Sequence, residues 1–305
     1  MNSRNADRHG LGIPSPDKLT LLAYGFAVLF AGSNFVAVRF TVMELPPFWG
    51  AASRFMAAAI IFWIIVWYRK SPFPDGRSLL GVLLYGFLSI GASYAFLYWG
   101  LQSIPASLTS VFIALAPLMT FFFAFLHRIE PFRWRGLIGG ILAMAGIAYA
   151  FFEQPGGDLP ILPVLGIVVG VACVAESTVV IKMIPRSDPF ITNALAMTVG
   201  SITLVILSLF AGEPWSLPTQ TVTWIAAIYL IVFGSVIMFY LFLFVIRRWT
   251  ASAASFSFVL MPFVTVIVAG LLADETVNAA FILGGMLTLL GVWIGALSGA
   301  SSPKS

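Results

Sequence analysis

The basic residues of this chain lie in alternate connections between long apolar stretches, and no other feature limits the fold as strongly. Ten apolar stretches follow one another, and the connection after every second stretch is basic, with Arg69, Lys70, Arg77, Arg128, Arg133, Arg135, Arg186, Arg247 and Arg248. The remaining connections carry no basic residue and contain Glu44, Glu153, Asp158, Glu213, Asp274 and Glu275. Basic loops stay in the cytoplasm during membrane insertion. The pattern therefore predicts an even number of membrane spans with both termini in the cytoplasm.

The composition excludes a water-soluble domain. Hydrophobic residues make up 60% of the chain and charged residues 9%, whereas a soluble domain has about 25% charged residues. The net charge of +4 arises from the connections on one side, so it reflects topology and does not indicate a nucleic-acid partner. The single cysteine, Cys173, excludes an intrachain disulfide. We expect the lipid bilayer to be the main surroundings of the chain.

Each apolar stretch is long enough to cross about 30 Å of hydrocarbon as a helix. The stretches are continuous and do not alternate with polar residues, which indicates helices rather than barrel strands. The predicted spans are 19–41, 48–68, 79–101, 105–126, 134–152, 162–184, 190–211, 221–246, 251–273 and 279–298. No phosphate-binding loop of the G-x-x-x-x-G-K-[ST] type occurs, which argues against an ATP-driven pump. The fold class is thus an all-α integral membrane protein.

An internal repeat relates the two halves of the chain at an offset of 145 residues. The matched pairs include Ser110 with Ser255, Pro117 with Pro262, Glu130 with Glu275, Gly139 with Gly284, and Gly146 with Gly291. Each half holds five predicted helices, an odd number, so the two halves have opposite orientations in the membrane. The prediction is two inverted repeats, 19–152 and 153–298, between cytoplasmic tails 1–18 and 299–305. Inverted repeats are typical of secondary transporters, which bind substrate between the repeats near the membrane midplane.

Several motifs together resemble the EamA branch of the drug/metabolite transporter superfamily. They are Ala31-Gly32-Ser33-Asn34-Phe35 in the first span, Pro46-Pro47 with Arg54 after it, and the repeated stretch of small residues with its Pro, Glu and Gly. The overall likeness is to bacterial aromatic amino acid exporters of the YddG type. This resemblance implies a ten-helix inner-membrane exporter that works by alternating access. It also implies a central cavity between helices 1, 3, 4, 6, 8 and 9.

Small polar residues follow one face of the fourth span and recur in the ninth. They are Ser107 and Ser110, repeated as Ser252 and Ser255. Such residues allow close packing of helices in lipid, and alternatively their hydroxyl groups line a substrate cavity. Pro117 and Pro262 each remove a backbone hydrogen bond, so we expect kinks that serve gating.

Aromatic and amide side chains are the candidates for binding an aromatic substrate. Tyr94 and Tyr98 share a face of the third span, and Phe239 and Tyr240 lie in the related eighth span. Their rings either pack against an aromatic ligand or belong to the lipid-facing and interfacial aromatic residues of membrane helices. Asn34 lies in the middle of the first span, where its amide binds either the substrate or a neighbouring helix.

Glu176 is the most unusual single residue, because it lies inside the sixth span. An acidic group at the centre of a membrane helix costs roughly 2.5–3.5 kcal/mol on insertion scales. Three roles are open: a proton carrier, an anchor for a substrate ammonium group, or half of an ion pair with Lys182 or another cation.

The inverted repeat thus predicts a secondary transporter, and the resemblance implies that it exports aromatic amino acids and similar amphipathic metabolites. The alternatives are a multidrug or other metabolite carrier of the same superfamily and, in a different class, a membrane receptor or scaffold that transports nothing. No metal-ligand cluster is recognisable, and neither histidine can be paired with a serine inside the membrane. We therefore expect no enzymatic activity, no cofactor and no metal. Energy coupling and oligomeric state are left open.

Overall fold

The computed structural model describes residues 17–128, 134–152, 160–185, 187–248, 251–273 and 279–294, and these residues form helices joined by short connections. Six helices lie in the first part of the chain: α1 (Lys18–Val42), α2 (Pro47–Arg69), α3 (Gly76–Leu101), α4 (Ala106–Leu126), α5 (Trp134–Phe152) and α6 (Ile161–Met183). They are followed by α7 (Pro189–Phe210), α8 (Thr221–Ile231, Val232–Ile237 and Met238–Arg248), α9 (Ala251–Leu272) and α10 (Ala279–Val292).

Seven of these helices are long and apolar enough to cross a membrane. They are Lys18–Val42, Pro47–Arg69, Gly76–Leu101, Ala106–Leu126, Ile161–Met183, Pro189–Phe210 and Thr221–Phe242. The other three predicted spans coincide with shorter apolar segments, Trp134–Ile147, Ser257–Leu272 and Ile282–Val292. An all-helical membrane protein is confirmed, whereas the number of ten spans stays a prediction.

Proline and aspartate begin several of the helices. Pro47 and Pro189 occupy the first turns of α2 and α7, where proline is favoured because its missing N–H would have no partner there. The Asp188 carboxylate accepts a hydrogen bond of 2.8 Å from the Phe190 N–H, and the Asp17 carboxylate accepts one of 3.0 Å from the Thr20 N–H. These local signals place the helix starts within a residue or two of the predicted ones.

Two helices contain a π-helical turn at equivalent positions. Phe87–Ala92 forms this turn in α3 and Val232–Ile237 forms it in α8, and the two segments are related by the same offset of 145 residues. A π turn shifts the backbone hydrogen bonds out of the regular α-helical pattern and is frequent at functional sites. Hydropathy does not show this irregularity, because both segments read as continuous spans.

The two repeat-related prolines differ in their effect on the helix. α4 is interrupted at Ala114–Leu115, and Pro117 lies in the first turn of its second piece, Ala116–Leu126. Pro262 lies inside α9, which continues through it. The helix is therefore interrupted just before Pro117 and continuous at Pro262. Kinks that serve gating stay a prediction at both positions.

Glycines allow α5 and α10 to approach closely. A Cβ atom on Gly146 would lie 2.5 Å from the carbonyl oxygen of Gly284, and one on Gly291 would lie 2.5 Å from the carbonyl oxygen of Gly139. Gly146 matches Gly291, and Gly139 matches Gly284, at the offset of 145. The contact is therefore reciprocal, with each half of the chain contributing the same two positions.

Candidate functional site

A cluster of polar groups is buried between α1, α2, α3 and α8. At its middle Arg54, on α2, is only 3% exposed. Its Nε donates a hydrogen bond of 2.8 Å to Ser235 Oγ, its Nη1 donates one of 3.2 Å to the Tyr98 hydroxyl, and its Nη2 donates one of 2.9 Å to the Gly234 carbonyl. Together with Asn34, these residues are called the polar centre below.

The charge of Arg54 has no acidic partner in the part of the chain that the structure describes. An ion pair among those residues joins His127 and Glu176 and does not involve Arg54. The guanidinium instead lies 4.9 Å from the ring centre of Phe55 and 5.6 Å from that of Tyr94, which gives partial compensation through cation–π contacts. A buried cation that is surrounded only by dipoles and rings attracts an anion, because a carboxylate forms two parallel hydrogen bonds with a guanidinium.

Asn34 brings the first helix into the same cluster. Its Nδ2 donates a hydrogen bond of 3.1 Å to the Gly234 carbonyl and approaches Met238 Sδ at 3.5 Å. Its Oδ1 is buried and has no hydrogen-bond partner. A buried acceptor without a partner is costly, so this oxygen is available to a donor on a bound molecule. Of the two roles predicted for Asn34, the contact between helices is present.

The tyrosines predicted from the sequence lie beside Arg54. Tyr98 is 1% exposed, and its hydroxyl accepts the hydrogen bond from Arg54. The ring of Tyr94 meets that of Phe55 edge-on, with ring centres 4.5 Å apart, and lies 6.1 Å from the ring of Tyr98. One side of the polar centre is therefore aromatic. Whether the two tyrosines contact substrate stays a prediction.

The other predicted aromatic residues lie elsewhere on α8. Tyr240 is 46% exposed, and its ring centre is 6.0 Å from that of Phe190 on α7. Phe239 is half-buried and packs against the apolar core. The eighth helix contributes to the polar centre through Gly234 and Ser235, which sequence reasoning missed. Both residues lie in the π turn Val232–Ile237, and no pattern in the sequence marks that turn.

The small polar residues of α4 are buried. Ser110 is fully buried, and its hydroxyl donates a hydrogen bond of 2.6 Å to the Ser107 carbonyl within the same helix. This use of the hydroxyl fits the packing interpretation of that stripe. The side chains of Ser252 and Ser255, the matching pair in α9, lie outside the described residues. A cavity role for all four serines stays a prediction.

Glu176 has a different partner from the lysine considered in the sequence. Its Oε1 lies 2.7 Å from Nε2 of His127, which ends α4, and its Oε2 is buried without a hydrogen-bond partner. Lys182 is exposed. Six positions along a helix separate two side chains by about 9 Å and turn them about 120° apart, so Lys182 does not reach Glu176. Of the ion-pair partners considered in the sequence, Lys182 or another cation, the structure shows His127, in a pair between α4 and α6. The roles of proton carrier and substrate anchor stay predictions.

Two acidic residues, Glu44 and Glu213, link the connections 43–46 and 211–220 to the starts of helices. The side of the molecule that these two connections form is called the acidic face below. Glu213 accepts hydrogen bonds from the N–H groups of Phe48 (3.1 Å) and Trp49 (2.8 Å) in the first turn of α2. Glu44 accepts one of 2.7 Å from Thr219 Oγ1 and others from the N–H groups of Thr219 and Gln220, just before α8. Each connection therefore caps a helix in the other half of the chain, where a negative charge is favourable.

Comparison with known proteins identifies the family. The sequence model of the EamA-like transporter family matches residues 19–152 and again 161–296. Similar proteins include the "Uncharacterized inner membrane transporter YedA" of Escherichia coli (strain K12), which is 29% identical over 262 residues, covering 83% of this chain and 84% of the relative. The "Uncharacterized transporter YyaM" of Bacillus subtilis (strain 168) is 24% identical over 282 residues, covering 89% of this chain and 91% of the relative.

A solved crystal structure that is 17% identical covers 94% of this chain and 100% of its own, with a TM-score of 0.65, and so shows the same fold. The predicted membership of the drug/metabolite transporter superfamily is confirmed at the level of the family, while the aromatic amino acid specificity is left to a proposal. The chain therefore belongs to the EamA-like transporter family, as a multi-pass membrane transporter.

Proposed function

We propose that this chain exports amino acids with aromatic side chains across the inner membrane, and that Arg54 binds their carboxylate group. The single observation that supports this most strongly is the buried guanidinium without a carboxylate partner among the described residues. A buried cation without an anionic partner lowers the stability of the protein, and an anionic substrate that binds beside it supplies the missing partner. A substrate carboxylate would replace the neutral partners Tyr98 and Ser235 with a charge-assisted, bidentate pair.

The neighbours of Arg54 fit the rest of an amino acid. The unpartnered Oδ1 of Asn34 accepts a hydrogen bond from an ammonium group, and Asn34 and Arg54 already meet at the Gly234 carbonyl. The rings of Phe55 and Tyr94 are within reach of an aromatic side chain, with which a ring pair contributes roughly 0.5–1.5 kcal/mol beyond burial. The site thus offers one group for each part of the substrate.

The location of the polar centre suits alternating access. Asn34, Arg54 and Tyr98 come from the first half of the chain, while Gly234 and Ser235 come from the second. We infer that the halves are two inverted repeats of five spans each. The reciprocal glycine contact between α5 and α10 and the matching π turns in α3 and α8 support this arrangement. Substrate sites between such repeats lie near the midplane of the membrane.

The experiment is counterflow in proteoliposomes loaded with unlabelled phenylalanine, with uptake of the labelled amino acid as the signal. Two analogues separate the groups of the substrate: phenylpropionate lacks the ammonium group and phenethylamine lacks the carboxylate. If Arg54 binds the carboxylate, phenylpropionate competes with phenylalanine and phenethylamine competes far less. Arg54→Gln should abolish counterflow, whereas Arg69→Gln, at the end of α2 outside the polar centre, should retain it.

The competition pattern also tests the alternative carriers. Competition by hydrophobic cations and none by amino acids would overturn the proposal in favour of a multidrug carrier. Competition by other anionic metabolites alone would keep Arg54 as an anion site and remove the amino acid as its ligand.

A further inference from the structure

A small pocket lies between α2 and α8, directly beneath the connection 211–220. Its volume is about 120 Å³. Trp49 and Ser53 of α2 and Trp224 of α8 form its walls, residues 216–218 form its roof, and Arg54 lies at its inner end. The lining of the pocket therefore includes residues of the connection 211–220, on the acidic face, as well as Arg54 of the polar centre.

Several residues of the segment 211–220, which forms the roof of the pocket, contact the first turns of α2. Glu213 caps the first turn of α2, Trp215 stacks on Trp49 with ring centres 4.9 Å apart and planes within 5°, and the indole N–H of Trp49 donates a hydrogen bond of 2.8 Å to the Ser216 carbonyl. Its far end is held by the bonds from Thr219 and Gln220 to Glu44. The segment 211–220 is thus held at both ends and by a ring pair between them.

We propose that this pocket is the outer end of the substrate path and that the segment 211–220 is its lid. The identity of the substrate rests on the proposed function, whereas the lid does not. In this arrangement the carboxylate of the leaving molecule stays on Arg54 while its side chain passes between Trp49 and Trp224. These two tryptophans then select flat, apolar side chains at the exit.

The size of the pocket shows why the lid must move. A cavity of about 150 Å³ in another protein is large enough to hold benzene, and this pocket is smaller, at about 120 Å³. The closed pocket therefore has room for about one small ring and not for a whole aromatic amino acid, so the lid must move before such a molecule can pass. The structure represents the path with its outer end closed.

The hydrogen bonds that hold the segment 211–220 are of a kind that allows this lid to open. Both acidic caps can be replaced by water at the helix ends, because the N–H groups of a first turn are readily solvated. Trp215 and Leu217 of the lid are 52% and 70% exposed, so half or more of each side chain lies outside the packed interior even with the lid closed. Segments held mainly by exposed hydrogen bonds open at a low free-energy cost.

The test measures how fast a charged thiol reagent reaches the pocket. In a Cys173→Ser background, Ser53→Cys places one thiol in the wall, and the protein is held in nanodiscs so that the reagent reaches both faces. Glu44→Gln with Glu213→Gln should raise the labelling rate about tenfold, because charge-assisted hydrogen bonds to the helix ends are replaced by neutral ones. Trp215→Ala, which removes only the ring pair, should raise it as well.

Gln102→Cys is the matched control, since Gln102 is exposed on the connection between α3 and α4. Its labelling rate should not change with either lid variant. Equal rates at Ser53→Cys with and without the lid changes, in monodisperse protein, would overturn the lid.

Substrate protection separates this inference from the proposed function. Phenylalanine should slow the labelling of Ser53→Cys, and it should do so more in the opened variants. If the lid variants accelerate labelling but no amino acid protects the thiol, the path and its lid are supported and the proposed substrate class is wrong.

Discussion

Asn34 and Gly234 are 200 positions apart in the chain, yet their contact joins α1 to α8 at the polar centre. The amide nitrogen of Asn34 donates a hydrogen bond of 3.1 Å to the Gly234 carbonyl, and its amide oxygen occupies the space that a Cβ on Gly234 would need. The same missing side chain lets Arg54 Nη2 reach that carbonyl at 2.9 Å. A larger residue at this position of the π turn would therefore have to displace the side chains of Asn34 and Arg54.

A methyl group at this position should disrupt the site. We expect Gly234→Ala to push Asn34 and Arg54 away from the carbonyl, which costs about 1–3 kcal/mol of stability through overpacking and abolishes counterflow. Gly25→Ala is the control, because nothing lies within 4 Å of a Cβ there, and it should be neutral or stabilise α1 by up to about 1 kcal/mol. Thermal unfolding in detergent and counterflow measure the two effects. Parent-like behaviour of Gly234→Ala would contradict this account of the polar centre.

Tyr94 should determine the preference for aromatic substrates. Removing its ring with Tyr94→Ala takes away a ring pair worth roughly 0.5–1.5 kcal/mol, so we expect phenylalanine to bind about 2- to 10-fold more weakly, with leucine less affected. Tyr240→Ala is the matched control, since Tyr240 packs against Phe190 and is half-exposed. Binding constants from competition in proteoliposomes provide the comparison. Equal weakening of every substrate, together with a lower yield of folded protein, would assign Tyr94 to packing.

The sequence predicts what hydropathy and helix signals encode, and it misses what packing brings together. Pro47 and Pro189 mark helix starts locally, and Asn34 and Tyr98 stand out as polar groups inside spans. Gly234 and Ser235 do not, because a shift in backbone hydrogen bonding leaves no trace in hydropathy. Of the partners left open for Glu176, Lys182 is out of reach along the helix, whereas His127 reaches it because α4 packs against α6, which the sequence does not show. Glu44 and Glu213 marked topology in the sequence, and their capping of distant helices appears only in the fold.

The topology itself is a prediction that gene fusions test. Because basic residues occupy alternate connections, both termini should be cytoplasmic. Alkaline phosphatase fused after Ser305 should be inactive, and the same enzyme inserted at Gln102 should be active. The opposite pattern would reverse the orientation and place the lid segment 211–220 in the cytoplasm.

Acid should weaken the hydrogen bonds that Glu44 accepts just before the start of α8. The nearby Thr223 hydroxyl, together with hydrogen bonds from the Thr219 hydroxyl and from the backbone N–H groups of Thr219 and Gln220, lowers the pKa of Glu44 from 4.5 to about 2. The pKa is lower in the folded protein, so this contribution to stability is complete above about pH 4.5 and is lost as the pH falls towards 2. The unfolding temperature of the parent should therefore fall more steeply over this range than that of Glu44→Gln. If the unfolding temperatures of the parent and of Glu44→Gln fell in parallel with pH, these hydrogen bonds would add nothing to stability.

The pair of His127 and Glu176 is the candidate for coupling transport to proton movement. It joins the end of α4 to α6, whereas the polar centre is built on α1, α2, α3 and α8. A role in coupling should therefore be separable from substrate binding. We expect Glu176→Gln, which keeps the shape and removes the charge, to leave phenylalanine affinity within about twofold and to abolish the response of transport to a pH gradient.

His127→Gln should change the same pH response, because the two side chains share one contact of 2.7 Å. Lys182→Gln is the control, since Lys182 is exposed and does not contact Glu176, and it should behave like the parent. Weaker phenylalanine binding at every pH in Glu176→Gln would instead assign the carboxylate to the substrate ammonium group. An unchanged pH response together with unchanged binding would remove Glu176 from the mechanism, and transport would then follow the substrate gradient alone.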